Sequence, residues 1–567
     1  MKMKMKQGTG KKLRYGGVTA ILTALIIAVI IVVNVMFSAL SKKFLWYADL
    51  TAPELFTLSD NCIDLLKNGD EEFNSASTTE IIDAIRAEKK AEDPTFEDED
   101  LMVRLIFCDT ESAWEDSTMR LYVYQTAQQL EAAFPEYIRV EAHDILWNPS
   151  AVSKYEGVSS TAQVVIEFGT EYRVRNLDDF YEYEDDTKQT LWAYNGEKVL
   201  ASSILSVTRA ESPVAGIVTN HGEQMSEDLL KTLELAGFTL ENINLSAMPD
   251  ESYEGDVKDY NPIPKSCRLL VICNPTSDFL EVGERGDSSH LNEIDRLDDF
   301  LVGNVSGMRG SLMVFISSET RLDNLEDYLS EDWGVVFNRD AETGTPYRVI
   351  DESQSLDYEI GSTIRAEYVT ESAGGELTKP MWEDIANPRP IIFKDAVPLS
   401  FSPLFVQDGG SASGSSPYGT VRSVYDVFVS GENAYATVEG QKVAQATAYN
   451  PLKLMTITME TEQQQENQMG DYVTNGSYVL ACGSPEFASR ALLQSTAYGN
   501  GAFLEHALRV VGQEVVPVNL TFKIFNDVSM DTVTTADATK YTVVLAVLPV
   551  IISLGAGIFV LVRRKNR

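Results

Sequence analysis

Two stretches of this chain are apolar without any alternation, and they lie at its two ends. Val18–Leu40 reads VTAILTALIIAVIIVVNVMFSAL and Thr542–Val562 reads TVVLAVLPVIISLGAGIFVLV, neither with a charge. At 1.5 Å per residue the first would make about 34 Å of helix, enough to cross a bilayer core. Pro549, Gly555 and Gly557 would weaken a soluble helix but are tolerated in membrane helices. Ala39-Leu40-Ser41 fits the small-x-small pattern of a signal-peptidase site. The apolar run ahead of it exceeds the roughly 7–15 residues of a cleaved signal core, so an uncleaved anchor is expected.

Between the ends, strand-like and helix-like periods take turns. After the polar break Asp49-Leu50-Thr51, DNCIDLLKN predicts a helix with Ser59 or Asp60 as N-cap. Residues 70–100 are acidic and read as a solvated loop with one helix. Leu101–Asp109 is an apolar strand, Ser117–Phe134 a helix and Tyr137–Ile145 a second strand. Ala162–Gly169 and Glu171–Leu177 read as a hairpin, Asn195-Gly196 as another turn, and KVLASSILSVTRAE as a closing helix. Strand, helix, strand, hairpin is a thioredoxin-like order over 44–211. Cys108-Asp109-Thr110-Glu111 follows the first strand where a CxxC would stand, so disulfide exchange is not expected.

A second α/β unit spans 212–340. VAGIVTN, FTLENINL, CRLLVICNP, SLMVFIS and VVFNRD alternate with SEDLLKTLELAG, HLNEIDRLDDFLVG and LDNLEDYLSEDWG. Ser226 is the expected N-cap of the first of these helices and Gly237 its stop. Such alternation predicts a mostly parallel, Rossmann-like sheet with helices on both faces, whose ligands bind beyond the strand C-termini. Those ends carry Thr219-Asn220-His221-Gly222-Glu223 and Asn274-Pro275. Cys267 and Cys273 bracket one strand and are expected on the same side of it, roughly 20 Å apart and unable to bond. Residues 341–540 read as a mixed α+β region, with Gly409–Pro417 (GGSASGSSP) a flexible exposed loop and PVNLTFKI a last strand.

Charge sets the orientation. Lys2, Lys4, Lys6, Lys11, Lys12 and Arg14 in the tail 1–17 precede the first span, and Arg563, Arg564, Lys565 and Arg567 in the tail 563–567 follow the second, with no acid among them. The positive-inside rule puts both termini in the cytoplasm and the intervening region outside the cell membrane. Lys42 and Lys43 oppose it weakly. Of 46 basic residues, 36 lie between the tails and face all 85 acids, so that region carries −49. A surface this acidic repels nucleic-acid phosphates, so no nucleic acid is expected as partner.

Catalytic signatures are missing. There is no GxxxxGK[ST], no GxGxxG after a strand, no HExxH and no GxSxG. The histidines and the five scattered cysteines show no metal-ligand or disulfide spacing. No cofactor, metal or enzymatic activity is expected. One cluster stands out at the sheet end: Asn220, His221, Gly222 and Glu223, with Asn274 beyond the neighbouring strand. It could grip a ligand or run acid–base chemistry, or Gly222 could simply let the chain turn while its neighbours cap the next helix. In the spans, Gly555, Gly557 and Asn34 are the candidate helix contacts: small residues permit close approach, and a polar side chain in lipid needs a partner.

Several segments together resemble GldG, the auxiliary component of a class of bacterial ABC transporters named from gliding motility. DLTAPELFTLSDNCIDLL after the anchor resembles that family's Asp-Leu-Thr then Leu-Ser segment. VAGIVTNHGE resembles its strand ending in Gly-His-Gly-Glu, with Asn220 in place of the first Gly. CRLLVICNPTSDF with GSLMVFISSETRLDNLEDYL, then SYVLACGSPEFAS with GNGAFLEHALRVVGQE, then the final span and RRK, follow in the same order. The resemblance implies thioredoxin-like and amidotransferase-like outer domains, a cytoplasmic ATPase and a membrane permease as partners, and no activity for this chain. Gliding itself does not follow from it. A stand-alone surface receptor or envelope-binding protein that uses the sheet-end cleft is the alternative, and a sugar-processing enzyme a distant third.

Overall fold

A computed structural model describes residues 55–525, apart from 70–75, 184–189, 210–212, parts of 251–258, 281–291, 357–360, 466–471 and single positions or pairs between 318 and 521; outside this range it describes only Val32. Among the described residues no helix is long and apolar enough to cross a membrane. The two candidate spans, Asn34, Gly555 and Gly557 lie outside the described residues, save the helical Val32. The fold is mixed α/β, with parallel and antiparallel pairing, and the chain divides into two compact units.

The larger unit holds Phe56–Phe180 and Asn195–Thr521. Its helix starts follow local capping. Ser59 accepts from the Cys62 N–H at 3.2 Å ahead of the helix Asp60–Asn68. Ser77 and Glu80 cap Thr78–Glu92 reciprocally. Strands β1 (Val103–Phe107), β2 (Ile138–Ala142), β3 (Gln163–Phe168) and β4 (Glu171–Asn176) form a sheet in the order β2-β1-β3-β4, with β1 and β2 parallel. The helix Thr118–Ala133 crosses between β1 and β2. Asn195-Gly196 is not the turn expected: it opens the helix Gly196–Thr208, every residue of which is buried. Burial decides here, because this helix packs on β3, β4 and the surrounding helices. Ser202 and Thr208 satisfy their hydroxyls on their own helix, at the carbonyls of Lys198 (2.5 Å) and Ile204 (2.9 Å).

The smaller unit includes the strands β5 (Tyr181–Tyr183) and β6 (Leu191–Tyr194) and a final strand, Lys523–Ile524, in one antiparallel sheet. Of the expected strand PVNLTFKI, Lys523 and Ile524 are in a strand, while Val518, Asn519 and Thr521 lie outside the described residues.

Among the described residues the second sheet of the larger unit has thirteen strands. β7 (Val214–Val218), β8 (Thr239–Ile243), β9 (Cys267–Cys273) and β10 (Ser311–Phe315) are parallel neighbours in the order β10-β9-β7-β8. The sheet does not end with them. β11 (Val335–Phe337) pairs elsewhere in the same sheet, and β12 (Arg348–Ile350) belongs to a separate three-stranded one. β13 (Thr363–Tyr368), β14 (Ile391–Lys394) and β15 (Leu399–Phe401) follow. Next come β16 (Val406–Asp408), β17 (Ser411–Ser415) and β18 (Val421–Val429), then β19 (Tyr435–Val438) and β20 (Gln441–Gln445), which pair with β12. β21 (Lys453–Gln465) and β22 (Tyr472–Cys482) form a long hairpin, and β22 lies parallel to β10. The path of the sheet is thus β14-β13-β18-β21-β22-β10-β9-β7-β8, running across residue 340.

Alternate strand residues feed two cores. Leu269, Val271, Met313 and Phe315 face the helices Glu227–Leu235 and Asn500–Val511, whereas Leu270, Ile272, Leu312 and Val314 face Glu293–Leu301 and Asp323–Trp333. Each such buried side chain contributes about 1.5–3 kcal/mol relative to exposure. Two expectations fail in this sheet. Gly409–Pro417 is not a flexible loop: Ser411–Ser415 pairs along β18, and Ala412 is buried in the second core. Its polar composition hid two buried residues, Ala412 and Ser416, and a hairpin turn at Gly409, φ 59°. Cys267 and Cys273 do not share a side, since a bulge where β9 passes from Cys267 to Leu269 puts Cys267 in one core and Cys273 in the other.

Candidate functional site

β7 and β9 are neighbours, but the helices after them cover opposite faces: Leu229 and Leu233 pack in the first core, Ile294 and Leu297 in the second. A crevice opens between the C-terminal ends of such a strand pair, and ligands of open α/β sheets bind there. The residues read from the sequence lie at this place. The chain leaves β7 through Asn220 at φ 90° and Gly222 at φ 75°. Asn takes positive φ at less cost than most residues. Gly222 is required more strictly, because a Cβ there would lie 2.1 Å from Thr276 Oγ1.

His221 is turned inward and 4% exposed. Its Nδ1 lies 3.2 Å from Glu223 Oε1 and its Nε2 3.2 Å from Glu293 Oε2. Phe279 stacks on the ring, with centroids 3.9 Å apart and planes at 15°. Burial by itself disfavours the imidazolium, but hydrogen bonds and charge from both carboxylates outweigh it, and the pKa is pushed up to about 9. The imidazole is therefore a cation clamped between two acids at neutral pH, each ring nitrogen donating.

The carboxylates have further partners. Glu223 Oε2 accepts from the His221 N–H at 2.9 Å, and Glu293 Oε2 from the Leu280 N–H at 2.7 Å. The His221 carbonyl accepts from the Thr276 and Ser277 N–H groups at 2.8 and 3.0 Å. The segment after β7 is thereby tied to the segment after β9 and to the first residue of the helix Glu293–Leu301.

Asn274 does not join the His221 cluster. At φ 48°, its N–H donates to the Phe315 carbonyl at 2.7 Å and its Oδ1 accepts from the Ser317 N–H at 3.1 Å, so it links β9 to β10. Asn220 is exposed and donates from Nδ2 to Ser246 Oγ at 3.3 Å. Glu293 and Phe279 were missed by sequence reasoning. Glu293 lies 72 positions from His221, and an acid at a helix start is unremarkable by itself.

Two other places bear on chemistry. Cys108 is buried, and burial together with Asp109 pushes its thiol up to about 11, the opposite of what thiolate chemistry needs. Thr110 caps the short helix Glu111–Glu115, and Asp109 pairs with Arg120 at 2.8 Å. A cleft of 430 Å³ lies against the helix Ala373–Thr378, lined by Leu377, Pro380, Met459 and Val510. Its Lys379 lies 3.3 Å from Glu376 and 3.8 Å from Glu383, so its charged groups answer one another.

No family model and no curated protein matches the chain. A solved structure, PurLQS from Thermotoga maritima, aligns with 53% of this chain and 99% of that one at 10% identity. Its TM-score of 0.24 is too low to carry an argument about fold or function.

Proposed function

We propose that this chain is a non-catalytic auxiliary subunit of a bacterial ABC transporter, anchored in the cell membrane at both ends, with its folded region outside and a separate ATPase and permease as partners. The observation that carries this reading is the filling of the sheet-end crevice by the chain's own side chains. His221, Glu223, Glu293 and Phe279 occupy the position where an enzyme or receptor of this architecture keeps open space for a ligand. Both ring nitrogens of His221 are held by buried carboxylates of the same chain. The GldG-like run of segments and the two uncharged spans with basic, acid-free flanks support the same reading. In it, the strand–helix–strand–hairpin of 103–176 is a thioredoxin-like module and the parallel part of the large sheet a Rossmann-like or amidotransferase-like one, both used to contact protein.

The test is purification of the intact chain from native membranes in mild detergent. An ATPase and a polytopic permease are expected to come with it. The chain freed of them is expected to hydrolyse no ATP, since it has no phosphate-cradling loop with a following Lys. Steady turnover by the separated chain, or a C-terminal tag cut by protease added to intact cells, would overturn the reading. Gly557→Leu and Asn34→Leu are each expected to weaken recovery of the permease while the outer region stays folded.

A further inference from the structure

Phe107 at the end of β1 pairs with Ala142 at the end of the parallel β2, so the segments that follow leave the same end of the four-stranded sheet. The segment after β2 is firmly attached. Val152 and Tyr155 are buried with Ile106, Cys108 and Val165, and Ile145 packs against them. The Asp144 carboxylate accepts from the N–H groups of Leu146 at 3.0 Å and Trp147 at 3.1 Å. The Asn148 N–H donates to the Asp144 carbonyl at 2.8 Å. A segment anchored in this way nonetheless holds Leu146 78% exposed and Trp147 89% exposed.

Isolated exposed apolar residues are ordinary. Two adjacent large ones, raised on a turn whose backbone is already ordered, are a different feature. Ordering on binding would cost little, and Trp is among the side chains most enriched at the energetic centres of interfaces. The exposed charge at this sheet end is mainly acidic. At the same sheet end Glu111 and Asp116 are exposed beside the segment after β1, and Glu156 is exposed beyond the turn. Of the bases at that end, Lys154 is paired with Glu167 and Arg120 with Asp109. An anionic lipid surface would be repelled by these acids, whereas a protein surface carrying Lys or Arg around a recess would complement them.

We propose that Leu146 and Trp147 are a preformed docking knob for a protein partner that offers an apolar recess rimmed by basic side chains. This does not depend on the transporter assignment. The experiment places a photo-crosslinking benzoylphenylalanine at position 147 of the full chain in its native membranes. The expected result is an adduct with one protein, mapped by mass spectrometry to apolar residues flanked by Lys or Arg. Its yield should fall several-fold at high salt and again in a Leu146→Ser background. Trp147→Ser in the purified full chain should leave the thermal midpoint unchanged. An adduct with lipid or with a second copy of this chain, no adduct, or a protein adduct indifferent to salt would each overturn the proposal. A clear fall in thermal midpoint would do so too, since it would mean that the knob packs within its own chain.

Discussion

His221 and Glu293 lie 72 positions apart in the chain and meet at 3.2 Å between Nε2 and a carboxylate oxygen, both side chains almost wholly buried. With Glu223 on the other ring nitrogen, this pair closes the switch point of the large sheet and joins three chain segments. Its energetic signature is electrostatic and depends on pH.

Stability of the folded region should fall as pH rises from about 6.5 to about 9. Below 6.5 the imidazole is protonated folded or unfolded and the clamp contributes in full; above that, the unfolded chain releases the proton while the folded one holds it up to about 9. A shift of this size corresponds to about 3 kcal/mol. Denaturant melts of wild type and His221→Gln across this range should show their difference shrinking with rising pH. A difference that stays constant would show that the clamp does not hold the proton.

Gly222→Ala should destabilise by about 1–3 kcal/mol, because positive φ and the Thr276 hydroxyl both oppose a Cβ. In a Thr276→Ala background the same change should cost less, since only the backbone strain remains. Equal losses in the two backgrounds would remove the steric part of the account.

Arg422 on β18 and Glu460 on β21 are cross-strand neighbours with fully buried side chains, and the Arg422 guanidinium lies 3.9 Å over the Trp333 ring. Arg309 reaches the same carboxylate at 2.7 Å. Arg422→Ala removes one of two cations on this buried carboxylate, leaving Arg309, and should cost about 1.5–3 kcal/mol by urea denaturation. Arg422→Lys should restore less than half of that, because an ammonium lacks the planar fork that stacks and bonds together. Full recovery by Lys would argue for charge alone.

All five cysteines are buried and free, and burial pushes the thiols of Cys267 and Cys273 up to about 12. The native chain should therefore react slowly with a disulfide reagent at pH 8, and the urea-unfolded chain rapidly with five equivalents. Fast reaction of one thiol in the native chain would identify a segment that opens locally.

What the sequence by itself determined was everything written in short-range contacts. Ser59 and Ser226 cap helices because an N-cap bonds within three residues, and Gly237 stops a helix at φ 97° because only a local conformation is asked of it. The alternation from Val214 to Phe337 was legible as strands and helices for the same reason. The crevice residues Asn220 to Glu223 were legible too, as polar residues with a glycine at the end of an apolar strand. Tertiary structure alone decided which acid reaches His221, that β22 from the far end of the chain lies beside β10, and that Ser411–Ser415 is a strand. It also put Cys267 and Cys273 in opposite cores and made a wholly buried helix of Gly196–Thr208. Each of these outcomes depends on which distant surfaces are buried together, and that free energy belongs to the packed pair rather than to either segment, so no local pattern carries it.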